Sequence, residues 1–153
     1  MARIYSVPFV NVSVAAVQDL FSLQTTSGMA VELHEITIGQ VTSTTVASAR
    51  LSWKRFSGAY TIGSGGNSAT PAKLNFGDAA AVATGRINDT TQTSAGTSVV
   101  FHGDVFNYVN GFLWLPAPED RPIIAPSQAF VLSLDNVPST ATMSGTLTFA
   151  ELF

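Results

Sequence analysis

No cysteine occurs among the 153 residues. That removes disulfides, thiolate metal ligands and cysteine nucleophiles within this chain. Charge is nearly as scarce. Asp, Glu, Lys and Arg make up 11% of the chain, against about 25% in an ordinary globular domain. Charge keeps folded proteins apart in solution, so a surface this poor in it suits a protein that works against other protein. The few basic residues are scattered, and only Arg50, Lys54 and Arg55 lie close together. Phosphate neutralisation dominates nucleic-acid affinity and demands a basic face, so no nucleic-acid partner is expected. No apolar run reaches the roughly 18 residues of a membrane helix, and no membrane partner is expected either. Apolar recurrence at helical spacing over three turns is missing as well.

What fills the chain is hydroxyl and hydrocarbon. There are 17 Thr and 16 Ser, and 46% of residues are hydrophobic. The apolar pattern has period two. Met143, Gly145, Leu147 and Phe149 alternate with Ser144, Thr146 and Thr148, as in a half-buried strand. Ala49, Leu51 and Trp53 alternate with Arg50, Ser52 and Lys54, and Phe130, Leu132 and Leu134 with Val131, Ser133 and Asp135. In Val31 to Ile38 the phase flips, which predicts a bulge near His34 or Glu35. Further strands are expected at 19–25, 82–87, 98–106 and 112–115, with room for a helical turn at 14–20 and at 76–84. The spacing predicts an all-β fold, a β-sandwich or jelly roll of about eight strands, as a single domain over residues 1–153. Met1 to Leu20 reads as a mature N-terminus rather than a signal peptide. The sequons at Asn11 and Asn88 read as chance matches.

Tests for chemistry return little. His102 and Asp104 share a strand face, but a zinc site needs three or four ligands, and His34 and Glu35 should face opposite sides. The run Gly63-Ser64-Gly65-Gly66-Asn67 lacks the Lys and the helix of a phosphate-binding loop and reads as a flexible surface loop. No G-x-S-x-G elbow is present. The expectation is no catalytic residue, no metal and no cofactor. Two long stretches, 62–78 and 88–97, are too polar for a core. The four prolines from Pro116 to Pro126 predict an extended connection rather than a central strand.

The aromatic residues carry the interaction signal. Trp53 is expected in the core. Phe112, Leu113, Trp114 and Leu115 are apolar on both strand faces, as are Val99 to Phe101 and Val105-Phe106. Such a segment is buried between sheets or covered by a partner. The terminal Leu152-Phe153 is apolar where chain ends usually fray. The candidate interface is therefore Phe101, Phe106, Phe112, Trp114, Leu152 and Phe153. Tyr60, Tyr108 and Trp114 offer an alternative use, as sugar-stacking residues of a carbohydrate-binding, lectin-like module.

Several segments resemble small structural proteins of tailed bacteriophages, in particular head decoration (cement) proteins. They are Leu33-His34-Glu35-Ile36-Thr37-Ile38-Gly39-Gln40, Gly63-Ser64-Gly65-Gly66 through Thr70-Pro71, Gly77-Asp78-Ala79-Ala80, Asn88-Asp89-Thr90-Thr91 and Leu115-Pro116-Ala117-Pro118-Glu119-Asp120-Arg121. The resemblance implies a virion protein made in the host cytoplasm and placed on the head exterior. Its implied partners are the major capsid protein and itself, as a homotrimer. It supplies no individual functional residues. A phage tail or fibre subunit fits the same pattern.

Overall fold

The computed structural model describes residues 3–42 and 44–153. They form twelve strands: β1 (Arg3–Val14), β2 (Gln18–Gln24), β3 (Ala30–Gln40), β4 (Ser48–Thr61), β5 (Asn67–Ala69), β6 (Ala72–Lys73), β7 (Thr84–Asp89), β8 (Ser94–Asn107), β9 (Phe112–Trp114), β10 (Ile123–Ile124), β11 (Ala129–Leu134) and β12 (Ala141–Leu152). A single 3-10 turn, Pro118–Asp120, interrupts the proline-rich connection. Two antiparallel six-stranded sheets pack as a sandwich. The first runs β10-β3-β12-β1-β6, with β9 also on β3, and the second runs β5-β7-β2-β11-β4-β8.

All eight expected strands are present, so the count of about eight is low by four: β1, β5, β6 and β10. Three of those have only two or three residues, too short to show a period. β1 is long, but its alternation of Tyr5, Val7 and Phe9 inward stops at a bulge where the register jumps from Phe9 to Val12. The predicted bulge in β3 is there. Thr148 pairs with Glu35 and Phe149 with Leu33, leaving His34 as the extra residue. Neither helical turn forms: Gln18 already belongs to β2, and the 76–83 stretch is irregular before β7 begins at Thr84.

Between the sheets sits one apolar core, built from the inward rows of both. Tyr5, Phe21, Leu33, Trp53, Phe130, Leu147 and Phe149 are all fully buried. β11 is buried on both faces. Phe130, Leu132 and Leu134 face this core, while Ala129 and Val131 pack with Phe56 on the outer side.

Two connections cover that outer side. β4 leads to β5, and β7 leads to β8, from opposite ends of the second sheet's strand order. Both must cross its face, and they pair with each other as they do so. Ser64 N–H donates to Thr91 O at 3.0 Å and Thr91 N–H to Ser64 O at 2.9 Å. The glycine-rich run is thus a packed strap, not the flexible loop expected. A Cβ on Gly66 would lie 2.1 Å from Ile87 O, and Gly65 holds φ +90°, a conformation that suits glycine.

Candidate interaction surface

Three buried carboxylates hold the straps and loops to the sandwich. Asp89 is fully buried. It accepts from Arg86 Nε at 2.8 Å and Nη2 at 2.7 Å, and from Gly66 N–H at 3.0 Å. The bidentate fork raises the Arg86 pKa above its ordinary value. Asp19 accepts from Thr93 N–H at 2.6 Å and Ser133 Oγ at 2.8 Å, and burial pushes its carboxyl up. Glu151 accepts from the Val82 and Ala83 N–H groups. Each carboxylate is committed to backbone or to a neighbouring side chain, which is structural work. The polar stretch 88–97, expected outside the core, therefore contributes buried Asn88, Asp89 and Thr93.

The histidines do not converge. His34 Nε2 lies 2.9 Å from Glu32, which also meets Arg121 at 3.4 Å. His102 stacks edge-on against Trp53 at 4.7 Å, with Asp104 at 3.9 Å. Among the described residues, no three metal-ligating groups cluster. A cleft of about 410 Å³ lies between Gln24, Ile62, Ala69, Pro71, Ala83 and Arg86. Its one charged group, Arg86, is already taken by Asp89.

The six candidate interface residues separate into three kinds. Phe106 is 3% exposed and belongs to the core, so it is not available at a surface. It stacks beside Tyr108 and Phe112, because β8 turns inward at its C-terminal end. Phe112 and Trp114 are half-buried on β9, each 5.7 Å from the Trp53 ring. Leu152 is half-buried at the end of β12. Phe101 and Phe153 are exposed. The Phe153 ring is met by its own chain, with the Arg3 guanidinium 5.2 Å away. Tyr108 is fully buried and cannot stack on a sugar.

Sheet edges separate β8 from the rest. An open edge presents unpaired N–H and C=O groups and invites another strand, so proteins usually blunt it. The β3 edge is covered by β9 and β10. On the far side of the first sheet, β6 pairs with Tyr5 and Ser6, after which β1 carries Pro8 and its bulge. The second sheet ends on one side in the three-residue β5. Its other side ends in β8, 14 residues long and exposed over most of its length on both faces. β8 contains no proline, Lys or Arg. Val99, Val100, Phe101 and Val105 stand out from it, with Val105 61% exposed.

Comparison of the chain with known protein families, with curated proteins and with solved structures found no match.

Proposed function

We propose that this chain is a noncatalytic structural protein of a phage virion, a decoration protein that binds the head exterior as an oligomer and stabilises it. The observation that carries this reading is the uncapped β8 edge on an otherwise blunted sandwich. A long strand without Lys, Arg or proline, exposed on both faces, has no reason to remain open in a protein that works alone. Strand pairing nests in a way that supports a jelly roll: β1 with β12, β2 with β11, β3 with β9, and β4 with β8. In that reading eight strands make the roll, and β5, β6, β7 and β10 are additions to it. Low charge favours close contact with the major capsid protein, and many weak contacts on a repeating shell sum to firm attachment.

The test is co-sedimentation of the purified protein with heads assembled from the major capsid protein of the phage or prophage that carries its gene. Binding that saturates at a fixed ratio to capsid subunits is expected, together with a rise in the heat stability of the heads. Free protein left in the supernatant at every concentration refutes the reading. A glycan array giving specific signal in that case moves the assignment to the carbohydrate-binding class.

A further inference from the structure

We propose that β8 is the seam between two copies of this chain, paired antiparallel about a two-fold axis at Gly103. The proposal deepens the self-assembly part of the function given above and rests on it. Arg50 N–H donates to Asn136 Oδ1 at 2.6 Å, and Arg50 C=O accepts from Asp135 N–H at 2.9 Å. Both Arg50 groups therefore face β11, away from β8. Arg50 is the β4 partner of Val105, so this pair is not a hydrogen-bonded one and the Val105 backbone groups point to the open edge. The Val105 N–H is met there by the neighbouring Asp104 carboxylate, at 2.8 Å. Alternation turns the Gly103 backbone to the same edge, because Gly103 pairs with Ser52, two residues from Arg50.

Side-chain order then selects the register. With Gly103 opposite Gly103 of the second copy, His102 falls opposite Asp104 of the second copy, and Asp104 opposite its His102. The two groups share one face within a strand, so both cross-strand pairs form on that face, where an imidazole N–H can donate to the carboxylate directly across. Gly103 facing Gly103 makes the central hydrogen-bonded pair from outward-pointing N–H and C=O groups. Beyond it, the Val105 N–H of one copy donates to the Phe101 C=O of the other, and the bulge at Phe101 ends the ladder past that pair. A self-complementary order of this kind calls for an isologous two-fold contact, and thus a dimer rather than the trimer implied by resemblance.

The chain's lack of cysteine permits a clean test. A Cβ on Gly103 meets nothing nearer than Leu51 O at 3.8 Å, so Gly103→Cys folds. Its two copies would stand about 5.5 Å apart, within the roughly 4.4–6.8 Å that a disulfide spans. In the same register, Ser98→Cys places its copies roughly ten residues apart, about 34 Å. Mild oxidation is expected to convert Gly103→Cys, and not Ser98→Cys, into a covalent dimer. Val105→Pro removes no bond to β4, yet takes a donor from the seam. It is expected to fold with an unchanged circular dichroism spectrum and to weaken the dimer roughly tenfold or more by light scattering. A wild-type monomer throughout the micromolar range, equal cross-linking of both cysteine variants, or an undiminished Val105→Pro dimer overturns the proposal. Head binding that survives such a result leaves the capsid reading intact. A dimer that cross-links as expected but ignores heads refutes the capsid reading alone.

Discussion

Replacing Asp89 by Ala tests whether the strap is part of the folded unit. Asp89 is fully buried, and its carboxylate takes three hydrogen bonds, two from Arg86 and one from Gly66 N–H. Breaking a buried ion pair costs about 3–5 kcal/mol, because the remaining charge is left without a partner. Arg86 is 23% exposed at its side chain and regains part of its hydration, which lowers the expected loss to about 2–4 kcal/mol. For a domain of this size each kcal/mol moves Tm by about 2–4 °C, so a loss near the middle of that range lowers Tm by roughly 6–12 °C. The control is Arg50→Ala. Arg50 meets Asp135 at 3.5 Å, but its side chain is 67% exposed, and such pairs contribute about 0–1 kcal/mol. Scanning calorimetry of both variants decides the matter. Asp89→Ala within about 1 kcal/mol of wild type, or no worse than Arg50→Ala, refutes the argument that this carboxylate anchors the strap.

Four further outcomes follow from the packing. Phe106→Ala should cost about 3–5 kcal/mol as a core cavity, while Phe101→Ala should stay under about 1 kcal/mol; urea denaturation separates them. Gly66→Ala forces the strap off Ile87 O, at a cost of about 2–3 kcal/mol, seen as faster amide exchange in residues 62–66 and 89–93. Glu151→Ala frees the Val82 and Ala83 N–H groups, and limited proteolysis should then cut between Leu74 and Ala83. Burial raises the Tyr5 and Tyr108 hydroxyls above 10.0, with the Glu151 charge adding to the effect at Tyr5. Their contribution to stability is complete below pH 10 and is lost as pH rises through the raised values. Tyrosinate absorbance from these two should therefore appear together with loss of the circular dichroism signal; ionisation of both in a protein still folded contradicts it.

Much of the architecture was legible in residue order because strands write their two faces into the chain. β12, β4 and β11 announce themselves by alternation, and the phase flip in β3 put a bulge near His34 or Glu35, where the structure has His34 as the extra residue. Trp53 was legible as core for the same reason. The misreadings share a cause. Phe106 and Phe101 look alike in sequence, two apolar residues in a two-sided run, yet one is 3% and the other 37% exposed. The difference lies in the bulge at Phe101 and in the ring cluster that β9 brings to Phe106. Likewise Asp89 and the glycines after Ile62 look like solvent-loving loop, because local composition does not record that two connections will cross a sheet face and pair.

Sequence by itself determined the all-β class, most strand positions and the poverty of charge. Those depend on each residue's own polarity and on its nearest neighbours along the chain. Tertiary structure alone decided that β8 is the edge left open, that polar loops become buried straps, and that the C-terminal Phe153 lies against Arg3. Each of these depends on which distant segments arrive side by side, and the free energy of those contacts belongs to the pair rather than to either stretch of sequence.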